Sequence, residues 1–162
     1  MIDAVEVLEN ISSHIFSAGK PHDLQDLTFI VIDEANNIVP RTLPPKGDNT
    51  RAKTQAIINK LAAEGRKYGA FLTIISQSPS KIHPDTLSQC SNLMLMRLTR
   101  RQDIEMIKDL RTDVPPELID RIAGFRQGEA LFIGDYVPAP ATARIVGRIS
   151  KEGGSGPKVE RF

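Results

Sequence analysis

"FIVIDEANNIVP", residues 29–40, sets an unbroken apolar run against two adjacent carboxylates, Asp33 and Glu34. With Leu27 and Thr28 ahead of it, the stretch 27–32 has the composition of a strand covered on both faces, which shows no polar alternation. Such strands belong to mainly parallel sheets, where ligands sit beyond the carboxyl ends. Asp33 and Glu34 fall at one of these ends. They are therefore either a working pair or the solvated acids that happen to finish a strand.

Outward from this strand the chain alternates helices with apolar runs. Val5, Leu8, Ile11, Ile15 and Phe16 recur at helical spacing, and Gly19 and Pro21 stop them, which predicts a helix over 3–18. "VPRTLPPKGDNTRAK", 39–53, holds three prolines, a glycine and four basic residues and predicts a mobile loop. A helix is expected over 54–67, a buried strand over 70–75, a short helix over 84–89 and a third strand over 92–98. Further helices are expected over 101–110 and 115–125, then short strands over 130–133 and 143–149, then a flexible tail over 151–162. The order predicts an α/β domain over 1–150, with a mainly parallel sheet flanked by helices and a short C-terminal β extension. Ser76 with Gln77, and Arg97 with Thr99, join the carboxylates as polar groups at strand ends.

Composition narrows the function classes only a little. The 162 residues are 40% hydrophobic and 25% charged, as in an ordinary globular domain, and 21 basic against 20 acidic residues leave a net charge of +1. Bulk charge therefore gives no reason to expect a nucleic-acid partner, and any such attraction must be local. The lone cysteine, Cys90, excludes an internal disulfide and suits a reducing cytoplasm, although a secreted protein without disulfides would look the same. No apolar run approaches the roughly 20 residues that span a bilayer, so membrane insertion is not expected. No internal repeat is evident. His83 and Cys90 read as structural, and Met94, Met96 and Met106 as core packing.

Adjacent acids at a strand end point to opposite sides of the chain. One can hold hydrated Mg2+ while the other orients a water, the division of labour that nucleotide hydrolysis requires. Three stretches then act together. "FIVIDEANNIVP", "INKLAAEGRKYGAFLTIISQSPSKIHPDTLSQCSNLMLMRLTRRQD" and "GEALFIGDYVPAPATARI" resemble, in order and spacing, the C-terminal part of HerA-like ATPases. These are hexameric DNA-translocating motors with a RecA-like core, and the resemblance covers about 27–149.

The resemblance implies a role for particular positions. Asp33 matches the Walker B acid that supports magnesium, Glu34 the catalytic glutamate, and Gln77 the polar sensor of the terminal phosphate. Arg66 matches a basic residue expected to reach a neighbouring subunit's nucleotide as an arginine finger, and Arg97 is a second basic candidate. Asn36 stands where such families usually carry a histidine. ATP and Mg2+ are the implied cofactors of the complete protein. Duplex DNA, sister subunits and a NurA-type nuclease are the implied partners, and cytoplasmic DNA-end repair is the implied setting. Arg41, Lys46, Arg51 and Lys53 are candidate DNA contacts, since phosphate recognition needs cations and no base-reading groups.

A motor of this kind also needs a glycine-rich loop, GxxxxGK[ST], whose amides cradle phosphate. This sequence has none; "FSAGKPHD" at 16–23 lacks the first glycine and has Pro21 where Ser or Thr should stand. The expectation is the C-terminal portion of a motor core, inactive alone, completed by its own N-terminal half and left with an unpaired sheet edge prone to association. A conjugation or secretion motor and a non-enzymatic interaction module are the alternatives.

Overall fold

A computed structural model describes residues 4–19, 27–42, 49–147 and 149. The expected tail at 151–162 lies outside them. Helix α1 (Ala4–Ala18) buries Leu8, Ser12 and Ile15, and Gly19 follows it at φ +82°, the left-handed turn that ends helices at low cost in glycine. Strand β1 (Thr28–Ile32) pairs in parallel with β2 (Ala70–Ile74), with Thr28 opposite Ala70 and Ile32 opposite Ile74. Between them runs helix α2 (Asn49–Glu64), extended by a 3-10 turn, Gly65–Tyr68.

α2 starts five residues before the expected 54. The breakers Pro44, Pro45 and Gly47 precede it, and Arg51, Ala52 and Lys53 are good helix formers that join the first turns rather than the loop. Arg51 and Lys53 are therefore helical residues, a correction to their assignment to the loop.

The parallel pair is covered on one face. Ile30, Ile32, Leu72 and Ile74 pack with Leu8, Ala35, Val39, Ile58, Ile82 and Leu87. Around α1, Ile15 and Leu61 close over Ala70, and Phe16 meets Tyr68 edge-on at 5.0 Å. On the opposite face Phe29 is 72% and Val31 62% exposed, and Phe29 stacks on Phe71 at 5.2 Å. The run 27–32 is thus continuous in apolarity without being covered twice by the described residues.

Such a face favours association, since burying one large apolar side chain is worth about 1.5–3 kcal/mol. Replacing Phe29 and Val31 together by lysine is expected to lower the average mass seen by light scattering at high concentration. An unchanged concentration dependence would show that the face is inert.

The remaining elements form a second unit around helix α4 (Arg101–Leu110). Helix α3 (Pro84–Ser88) leads to strand β3 (Leu93–Leu95), shorter than expected, which pairs antiparallel with β4 (Glu129–Ile133), and β4 pairs with β5 (Ala141–Arg144). The third strand therefore joins the C-terminal extension instead of standing beside β2. Leu95, Ile104, Ile107, Val114, Ile119, Ile122, Phe125, Leu131 and Ile133 make its core, with α5 (Pro116–Asp120) supplying Ile119. Met94 and Met96 are 54% and 44% exposed, because alternation along β3 turns Leu93 and Leu95 inward instead; only Met106 packs as expected.

Polar clamps tie the second unit together. Arg111 grips both oxygens of Asp113 at 2.8 and 2.7 Å and donates to the Ser91 carbonyl at 3.1 Å. The guanidinium holds the Asp113 carboxyl below its ordinary range. His83 caps α3 by accepting the Asp85 amide on Nδ1, and burial pushes the Cys90 thiol up, away from the reactive thiolate. No helix among the described residues is long and apolar enough to cross a membrane.

Candidate active site at the ends of the parallel strands

β1 and β2 finish side by side. Their ladder continues through Ile75 N–H to Ile32 O at 2.8 Å and Ala35 N–H to Ile75 O at 3.0 Å. The loops beyond them also run together, with Arg41 N–H on Lys81 O at 2.7 Å and His83 N–H on Val39 O at 3.0 Å. This zipper fixes the turn that carries Asp33 and Glu34 against the turn that carries Gln77.

Glu34 has φ +47° and ψ +47°, and it alone among the described non-glycine residues has positive φ. A left-handed conformation costs a residue with a Cβ roughly 1–2 kcal/mol, and such strain persists where surroundings impose it, often at functional sites. Here it swings the Glu34 side chain across to β2, where Gln77 Nε2 donates to Oε1 at 2.7 Å. Oε2 is left for another partner. Asp33 is exposed, and one of its oxygens accepts the Glu34 amide at 2.9 Å while the other stays open.

Asn36 and Ser76 add a second bridge between the turns. Ser76 Oγ donates to Asn36 Oδ1 at 2.8 Å and accepts the Ser78 amide at 3.1 Å. A polar, non-titrating residue therefore links the two strand ends at the position where a histidine was expected.

Magnesium commonly takes one or two protein carboxylates and completes its shell with phosphate and water. Asp33, with an open oxygen, fits that donor set. No cluster of three or more His, Cys, Asp or Glu side chains that would form an all-protein cage occurs among the described residues. Two clefts of about 430 and 540 Å3 lie elsewhere, beside β4 and β5; among the described residues Asp33 is exposed and Glu34 partly exposed.

Comparison with known proteins bears on what this surface belongs to. The DNA double-strand break repair helicase HerA of Pyrococcus furiosus is 32% identical over 117 residues, 72% of this chain and 20% of the relative. That of Saccharolobus solfataricus is 31% identical over 130 residues, 80% of this chain and 25% of the relative. The chain is a HerA-like segment. It spans about a fifth to a quarter of the length of the curated relatives it matches. No protein-family model matches it. The genome packaging NTPase B204 of Sulfolobus turreted icosahedral virus 2, solved with AMP, superimposes with a TM-score of 0.63 at 13% identity, over 89% of this chain and 64% of that one. That likeness shows the fold.

The structure of the HerA-like segment brings Asp33, Glu34 and Gln77 together and leaves the other expected residues apart. Arg66 is exposed in the 3-10 turn before β2, at the opposite end of that strand from Gln77. At about 3.3 Å per residue the separation is on the order of 20 Å, so Arg66 is out of reach of its own chain's carboxylates. Arg97 is exposed two residues beyond β3, in the other sheet, and makes no hydrogen bond or ion pair among the described residues. The cations expected along one loop fall on different elements among the described residues. Arg41 donates to the Ser80 carbonyl at 3.4 Å, Arg51 and Lys53 lie in the first turns of α2, and Lys46 falls outside the described residues.

Two further residues beside the site were not among the sequence candidates. Arg100 Nη1 donates to Ser78 Oγ at 3.3 Å, and the buried Asp103 accepts the Ser80 amide at 2.9 Å. Asp103 was legible: in "TRRQDIEMI" it lies four residues before Ile107, on the apolar side of α4.

Proposed function

We propose that the chain is the Walker B, sensor and arginine-finger region of a HerA-like, ATP-driven DNA translocase acting in DNA-end repair. The observation that carries the reading is the Gln77–Glu34 hydrogen bond, held at the ends of two parallel strands by a left-handed Glu34. Gln77 fixes one carboxylate oxygen, so that the other can orient a water and take its proton. Asp33 faces solvent with one open oxygen and would hold Mg2+ through water. Bound magnesium supplies charge neutralisation at the phosphates.

The distance of Arg66 from its own site supports service to a neighbouring subunit, as in a ring of six. Arg51 and Lys53 stand where the positive end of the α2 dipole disfavours cations, a placement that favours an anion such as duplex phosphate over helix stability. A NurA-type nuclease is the partner implied by resemblance. ATP phosphates would be cradled by a glycine-rich loop on another segment.

The test is complementation. The 162-residue chain alone is expected to hydrolyse no ATP, and mixing it with the loop-bearing portion of a HerA relative is expected to give hydrolysis. Turnover by the chain alone overturns the requirement for a second segment, and a mixture that stays silent while forming a complex overturns the motor reading.

A further inference from the structure

We propose that Arg100 and Asp103, at the start of α4, are positioning residues that hold Gln77 against Glu34; their catalytic importance rests on the hydrolytic reading of that pair. Gln77 is exposed, and its neighbours on both sides are tethered. Ser76 is fixed to Asn36, Ser78 to Arg100, and Ser80 to Asp103. The backbone of Gln77 is thus held from the β1 turn on one side and from α4 on the other.

Asp103 is the unusual member. It is 1% exposed, and a carboxylate so buried is costly unless its oxygens are paired. Its Oδ1 accepts the Ser80 amide, and its Oδ2 lies 3.9 Å from Arg100 Nε. The first-turn position on α4 adds the favourable end of the helix dipole. An apolar side chain would fill the same space without desolvating a charge, but it would leave the Ser80 amide without this acceptor. Arg100 uses separate atoms for its two partners, Nε towards Asp103 and Nη1 for Ser78, a fork that lysine lacks.

α4 is a rigid base for this grip because it belongs to both cores. Ile104 and Ile107 are buried with β3 and β4, while Met106 and Leu110 pack against the core beneath β1 and β2. The sensor turn is consequently fastened to the C-terminal unit through one helix.

A purely structural cap at Asp103 would affect stability alone, whereas a positioning role displaces Gln77 in a folded protein. The experiment uses the 15N-labelled 162-residue chain and follows the Gln77 side-chain amide by NMR, with Glu34→Ala marking the position of the released amide. Arg100→Ala, at a half-exposed site, is expected to keep the dispersed spectrum of a folded chain and move the Gln77 signal towards the Glu34→Ala position. Ser80 amide exchange is expected to rise about fivefold or more. Ser78→Ala, which removes the hydroxyl and keeps the guanidinium, must shift the Gln77 signal the same way.

If either folded variant leaves the Gln77 signal at its wild-type position, the proposal is overturned. In the complemented ATPase, Arg100→Ala is expected to lower kcat about tenfold with KM for ATP within twofold; an unchanged kcat also overturns it. The NMR readout needs no nucleotide, so it stands or falls separately from the motor reading.

Discussion

Gly134→Ala is expected to destabilise the chain by about 3 kcal/mol, read as a fall in the urea midpoint at unchanged slope. Gly134 follows β4 at φ +121°, outside the range that side chains with a Cβ adopt readily. An added Cβ would clash with the Ser91 carbonyl oxygen and stand 2.6 Å from Asn92 Oδ1. Neither can retreat cheaply. The Ser91 carbonyl receives Arg111, Asn92 Oδ1 receives the Tyr136 amide at 3.1 Å, and the Tyr136 hydroxyl donates to the Leu93 carbonyl.

Two other glycines calibrate the effect. Gly128, at φ +83°, has only ordinary contacts around the added methyl, so its alanine variant should cost about 1 kcal/mol for backbone strain alone. Gly124 has open space and no positive φ, and its variant should fall within about 0.5 kcal/mol of wild type. A Gly134→Ala variant no worse than Gly128→Ala would contradict the close approach of the β4 turn to Ser91.

The legible parts of this fold are those that local pattern controls. α1 and α4 follow from helical periodicity with clear stops, and β1 and β2 from continuous apolar runs. Asp33, Glu34 and Gln77 were expected just beyond the ends of these strands, and the structure places them there, with Gln77 bonded to Glu34. What pattern did not disclose was partnership. β3 is three residues long, and its sequence does not say whether it pairs with β2 or with β4, whose residues lie about 40 positions away.

That choice of partner leaves Arg97 beyond β3, apart from the turns after β1 and β2, and Arg100 beside the site on Ser78. It also turned Met94 and Met96 outward. The exposed face carrying Phe29 and Val31 was illegible for a related reason: a run can be apolar on both sides while the described residues cover only one. The left-handed turn at Glu34 had no signal at all, since glycine or asparagine would be the ordinary choice for that conformation.

Substitutions at Glu34 are expected to separate catalysis from conformation. In the complemented ATPase, Glu34→Gln should reduce hydrolysis about 10^2–10^4-fold, the range lost with a general base, while leaving the denaturation midpoint close to wild type. The amide keeps the shape and a hydrogen-bonding partner for Gln77, but it takes no proton from water. Retention of more than about a tenth of wild-type turnover would remove Glu34 from the role of base.

Conformation is read by a second pair, Glu34→Ala and Glu34→Gly. Both lose the carboxylate and the Gln77 contact, so their difference isolates the backbone. At an ordinary helical position alanine is more stable than glycine by about 0.5–1 kcal/mol. At φ +47° the order should invert, with Glu34→Gly more stable than Glu34→Ala by about 1 kcal/mol. The inversion would mean that the chain bears strain to aim one carboxylate at Gln77. Finding the ordinary order instead would show that the left-handed turn carries no strain, and the geometry would then lose its link to function.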